Sequence, residues 1–221
     1  MIWTIPNFLS IMRLIAALGV AFSYALLPHP VSDWTAVGLF VLAAATDWVD
    51  GVLARALNQQ TRFGAMIDPI ADKAMVAIAL LALSGAYNLD PLVLIPASLI
   101  LLREVFVSGL REFLGDTAGT LKVTRLAKWK TTFQMVAIAL LLAAKVFEHY
   151  FGIVAFGLGP VMTDDILSGR VPDELGLGAR YSAMIASYWV GVGLLQLAAI
   201  LTLLTGGDYL VKAMPHLRDA S

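Results

Sequence analysis

The chain has no cysteine, only three histidines and little charge. The lack of cysteine excludes disulfides, thiolate nucleophiles and cysteine-ligated zinc. His29, His149 and His216 stand far apart, without metal-ligand spacing, and read as residues of loops and tail. Charged residues make up 14% of the 221 positions, where a soluble domain carries roughly a quarter, while 59% are hydrophobic and mean hydropathy is +0.81. That balance points to a polytopic membrane protein. A net charge of −1 leaves no basic field for nucleic acid. The first positive charge, Arg13, falls inside the first apolar run instead of ahead of it. The expectation is therefore that this segment is retained and not cleaved as a signal peptide.

A membrane span needs about 20 mostly apolar residues. Six segments qualify, near 8–27, 34–57, 65–87, 91–114, 128–147 and 181–205. They are separated by LPHPVSD, LNQQTR, YNLDP, GDTAGTLKVTRLAK, the stretch 148–180, and TGGD. Lys and Arg concentrate around the second and fourth connections and in the tail, and are absent from the first and third. Cytoplasmic short loops carry that excess, so the pattern predicts six spans with both termini in the cytoplasm. The expected organisation is one all-α transmembrane domain over 1–221. It carries an extracytoplasmic or interfacial excursion at 148–180 and a short cytoplasmic tail at 206–221.

Charges reappear where they are expensive. Asp47 and Asp50 are spaced i, i+3 at the end of the second apolar segment. Gly64, Asp68 and Asp72 follow at i, i+4, i+8, one helix face with about 6 Å between steps. Both sets fall at the cytoplasmic ends of neighbouring helices, so four carboxylates can converge. A charged residue at the centre of a span costs about 2.5–3.5 kcal/mol on insertion scales, less near its ends. Arg55 and Lys73 offset part of that cost, and a pair of divalent cations offsets more. Oxygen-rich carboxylate sites suit Mg²⁺ or Mn²⁺. Gly51 and Ala54 leave the surface beside the carboxylates nearly bare, which admits a bulky phosphorylated ligand. Gly64, taken singly, reads as a small residue for helix packing. Pro69 sits either near a helix start or inside a helix. The stripe of residues 64, 68 and 72 favours the second.

Asp47-x-x-Asp50-Gly51-x-x-Ala54-Arg55, eight residues, then Gly64-x-x-x-Asp68-x-x-x-Asp72 resembles the signature of the CDP-alcohol phosphotransferases at all eight specified positions. The resemblance implies six transmembrane helices, a homodimer among membrane lipids, and a polar cavity open to the cytoplasm. It also implies transfer of a phosphatidyl group from CDP-diacylglycerol to an alcohol with release of CMP. On matching positions, Asp47, Asp50, Asp68 and Asp72 would be metal ligands, with Asp72 at the edge of the site as general base. Gly51, Ala54, Arg55 and Gly64 would shape the CDP-diacylglycerol pocket. Asn7 and Arg13 also recur in the pattern; Asn7 would either touch the nucleotide or cap the first helix.

The signature does not name the acceptor. Arg103, Arg111, Lys128 and Lys130 surround the fourth connection. They can bind an acceptor phosphate, Arg as a planar fork and Lys as a point charge. Glu104 and Glu112 are the alternative ion-pair partners. The segments IPNFLSIMRLI, FGAMIDPIADKAM, REVFVSGLREFLG and AKWKTTFQMVAIALLL are similar to the bacterial members of the family whose acceptor is sn-glycerol 3-phosphate. Those act at the inner membrane. Serine, inositol phosphate or phosphatidylglycerol are the competing acceptors. From other classes, a cation or proton transporter and an aspartate-rich prenyltransferase also use intramembrane acids. Here the acids cluster at one end only, without inverted repeats, and include an Asp-Gly-x-x-Ala-Arg element.

Overall fold

Thr4 starts the first helix, its hydroxyl accepting from the Asn7 amide at 3.4 Å, and Pro6 occupies a first-turn position where its missing amide hydrogen costs nothing. The computed structural model describes the backbone of residues 4–56, 61–115 and 126–217, and within it not the side chains of residues 6, 47–56 and 126–128. Seven helices are described: α1 Ile5–Leu26, α2 Val31–Ala56, α3 Arg62–Ala86, α4 Pro91–Leu114, α5 Leu126–Leu158, α6 Pro160–Leu167 and α7 Leu177–Leu217. No strand occurs among the described residues. Thr61 caps α3 by accepting from the Gly64 amide at 2.9 Å, and Asp90 caps α4 by accepting from Leu92 at 2.9 Å. Gly115, at φ +50°, closes α4 in a region that disfavours side chains.

Among the described residues, four stretches are long and apolar enough to cross a membrane: Asn7–Leu26, Pro91–Leu114, Trp129–Leu158 and Leu177–Leu217. The apolar part of α2, Val31–Thr46, is shorter. Each of the six expected segments coincides with a helix, but two run well past their expected ends. At about 1.5 Å per residue, the 33 residues of α5 extend about 50 Å and the 41 of α7 about 60 Å, beyond a hydrocarbon core of about 30 Å. Much of 148–180 is therefore a continuation of α5, the short α6 and the start of α7. His149 and His216 are consequently helical, and His29 alone of the three lies in a connection. TGGD does not end α7. Its Gly206 is buried, and a Cβ there would lie 2.9 Å from Cγ of Arg103, so the glycine serves close approach to α4.

α1 packs along both α2 and α3, α5 along α7, and α4 against α7. Their common core contains Phe40, Met75, Leu83, Ile100, Leu141 and Leu195, all at most 2% exposed. Gly191 lets α7 approach α5, since a Cβ there would meet Leu141 Cγ at 2.9 Å. The outward faces stay apolar, with Phe22, Leu81, Leu102 and Ile200 each more than half exposed. Water makes such a surface costly and lipid does not.

Candidate active site

Three polar residues on α1 meet the acidic stripe of α3 in register. The Asn7 side-chain oxygen lies against Gly64 and accepts from the Thr61 hydroxyl at 3.0 Å. The Ser10 hydroxyl donates to Asp68 Oδ1, and the Arg13 guanidinium bonds Asp72 Oδ1. Residue numbers rise together along the two helices, which therefore run parallel. Asn7, Ser10 and Arg13 are at most 2% exposed, whereas the Asp72 side chain is 53% exposed. Buried donors thus hold carboxylates whose outer sides face open space. A Cβ at Gly64 would come within 2.6 Å of Asn7 Oδ1, so the glycine is needed for the helices to meet. The cap of α1 is Thr4, not Asn7.

Pro69 lies inside α3, past its first turn. It removes one backbone donor beside Asp68. Lys73 turns away from the acidic stripe to donate to Ser108 Oγ on α4 at 2.6 Å, because position i+1 points about 100° around the helix.

Asp72 borders two cavities. A small one of about 100 Å³ reaches Arg13, Ala43, Ala44 and Met135, between α1, α2, α3 and α5. A larger cleft of about 290 Å³ carries Arg103, Glu104, Arg111, Lys130 and Gln134, between α3, α4 and α5. The helical register carries α2 from Ala43 and Ala44 to residues 47 and 50 within two turns. The side chains of Asp47, Asp50, Gly51, Ala54, Arg55 and Lys128 lie outside the described residues. Among those described, no three metal-binding side chains converge. Asp68 and Asp72 contribute hard carboxylate oxygens, the donor type that magnesium and manganese take.

The cations of the larger cleft are organised by one carboxylate. Glu104 Oε1 accepts from Lys130 Nζ at 2.5 Å and from Arg103 Nη1 at 3.0 Å. Lys130 is 5% exposed. The Arg103 stem rests on Gly206, and Arg111 stacks over the Tyr209 ring at 5.2 Å. The expected pairing of Arg103 with Glu104 is thus present, and Arg111 takes an aromatic partner. Four cationic and two acidic side chains line the cleft, leaving it positive. The sequence pattern did not single out Ser10, Thr61, Thr131 or Gln134. Each is a small or neutral polar residue without periodic signature. A larger cavity of about 560 Å³ lies near His29, Asp33, Lys145 and Glu148, between the start of α2 and the later part of α5 and remote from the acidic stripe.

Residues 3–161 match the family described as CDP-alcohol phosphatidyltransferase. A protein of Cereibacter sphaeroides named CDP-diacylglycerol–glycerol-3-phosphate 3-phosphatidyltransferase is 49% identical over 217 residues, covering 98% of each chain. The proteins of that name from Escherichia coli K12 and Shigella flexneri are each 39% identical over 166 residues, or 73% of this chain and 89% of theirs. The chain belongs to the CDP-alcohol phosphatidyltransferase family.

Proposed function

We propose that this protein transfers a phosphatidyl group from CDP-diacylglycerol to sn-glycerol 3-phosphate, yielding phosphatidylglycerol phosphate and CMP. One observation carries the choice of acceptor: Asp72 shares a single cleft with Arg103, Arg111 and Lys130. A phosphate on those cations puts the rest of a short acceptor beside a carboxylate able to take a proton. Serine, with a single carboxylate, matches a cluster of cations less well than a phosphate dianion does. The names of the relatives point to the same acceptor.

In the reaction, an acceptor hydroxyl gives its proton to Asp72, and its oxygen bonds to the phosphorus that carries the diacylglycerol. The bond from that phosphorus to the bridging oxygen breaks, and CMP leaves with the electron pair. Arg13 fixes one oxygen of Asp72, and Ser10 fixes one of Asp68. Asp47, Asp50, Asp68 and Asp72 would hold two Mg²⁺ or Mn²⁺ ions, whose charge, when bound, stabilises the leaving pyrophosphate oxygen. Gly51, Ala54, Arg55, Gly64 and Asn7 would shape the CDP-diacylglycerol pocket, and Lys128 would join the acceptor phosphate site. The proposal includes six spans, a homodimer in the bacterial inner membrane, and a site that opens to the cytoplasm with both termini.

The deciding experiment gives purified protein CDP-diacylglycerol with Mg²⁺ or Mn²⁺ and, separately, glycerol 3-phosphate, serine, inositol phosphate or phosphatidylglycerol, and measures CMP release. Glycerol 3-phosphate should give the fastest release; serine outrunning it would overturn the acceptor. Within the pocket, Arg111→Ala should raise the acceptor KM about tenfold, the scale of one exposed charge-assisted hydrogen bond. The CDP-diacylglycerol KM should stay within about twofold of wild type on the same reasoning. Equal increases in both constants would instead indicate loss of Tyr209 packing.

A further inference from the structure

Gln134 lies on α5 one turn beyond Lys130, is 3% exposed, and lines the cleft that holds Asp72 and Arg103. Its Oε1 has no hydrogen-bond partner among the described residues. Buried amide oxygens are almost always satisfied, so one left without a partner beside a cavity marks a place for a donor. Lys130 Nζ and Arg103 Nη1 bond Glu104, and Arg103 Nε, also buried in this cleft, is likewise without a partner among the described residues, so no described donor reaches the Gln134 oxygen. A phosphate dianion cannot fill the role, because its oxygens are acceptors like the amide oxygen itself. A hydroxyl can.

We infer that Gln134 determines acceptor specificity, its side-chain oxygen receiving a hydrogen bond from an acceptor hydroxyl other than the one that attacks. The inference rests on the reading of the cleft as the acceptor site. With the phosphate on Arg103, Arg111 and Lys130 and the nucleophilic hydroxyl at Asp72, one polar group of a three-carbon polyol phosphate remains, its middle hydroxyl. Lys130 and Gln134 are about 6 Å apart along the helix axis, the scale of such a molecule. The ligand class is therefore a polyol phosphate with a second free hydroxyl. An acceptor lacking the hydroxyl would leave the amide oxygen buried and unpaired. That penalty is the basis of strong discrimination by polar sites.

The test compares sn-glycerol 3-phosphate with 3-hydroxypropyl phosphate, which lacks only the middle hydroxyl, in the full-length enzyme with CDP-diacylglycerol. Wild type should prefer the former by about 10²-fold in kcat/KM. Gln134→Leu and Gln134→Met should shrink that ratio to within about fivefold, chiefly by losing rate with glycerol 3-phosphate, while the CDP-diacylglycerol KM holds. Two results overturn the inference: wild type using both acceptors equally, which needs no variant, or variants that slow both acceptors by one common factor. No CMP release by wild type with glycerol 3-phosphate would sink the functional reading itself, so the two failures are distinguishable.

Discussion

Asp72→Asn is expected to lower kcat by about 10³-fold or more, within the range that a positioned general base supplies. CDP-diacylglycerol binding should stay within about threefold of wild type, since Asn keeps the shape and one ligand oxygen, and Asp47, Asp50 and Asp68 remain to hold the metals. The geometry singles out Asp72 over Asp68. Asp72 alone of the two borders the cleft with Arg103, Arg111 and Lys130 as well as the cavity reaching α1 and α2. Its Oδ1 is held by Arg13, a residue with 2% exposure, so the carboxylate is oriented before substrate arrives. Asn keeps one oxygen for Arg13 but cannot accept the hydroxyl's proton. Binding of labelled CDP-diacylglycerol and single-turnover CMP release separate the two effects. Turnover within about tenfold of wild type would remove Asp72 from the role of base. Loss of lipid binding in step with turnover would make it a substrate-holding group instead.

What the sequence made legible follows from what each pattern depends on. The acidic stripe of α3 could be read directly, because residues at i, i+4 and i+8 share a face in any straight helix, whatever surrounds them. The six apolar segments were equally plain, since lipid exposure leaves large side chains outside, as at Phe22, Leu81 and Ile200. Helix ends were not plain. A span needs about 20 residues, yet nothing obliges a helix to stop at that length, and α5 and α7 run to 33 and 41 residues. TGGD looked like a break because paired glycines weaken helices, but Gly206 is there to admit Arg103. Ser10 escaped notice because a serine in an apolar helix ordinarily bonds back to its own helix, as Ser84 does to Leu80. Its bond to Asp68 depends on the meeting of α1 with α3, which the linear sequence does not display. Arg13 was visible as a charge inside an apolar run, and its partner was not.

Lys130→Met should raise the acceptor KM by about 10²-fold, because truncating one member of a desolvated, hydrogen-bonded charge pair costs about 2–5 kcal/mol. Lys130 is 5% exposed and bonds Glu104 at 2.5 Å, so its charge is fixed at the cleft wall without a solvent shell. Glu104 makes the prediction two-sided. It is the carboxylate that both Lys130 and Arg103 contact, and Glu104→Gln leaves two partly buried cations adjacent with a neutral neighbour. Breaking a buried pair in that way costs about 3–5 kcal/mol of stability. An anion in the cleft then becomes the missing counter-charge. Glycerol 3-phosphate should raise the melting temperature of Glu104→Gln in detergent far more than that of wild type, because a ligand stabilises in proportion to its preference for the folded state. Combining the two substitutions removes one cation along with the carboxylate, and the double variant should melt above Glu104→Gln alone. If Lys130→Met left the acceptor KM within about twofold of wild type, Lys130 would be a structural partner of Glu104 and no part of the phosphate site. An acceptor-independent melting temperature in Glu104→Gln would separately show that the anion does not enter between Arg103 and Lys130.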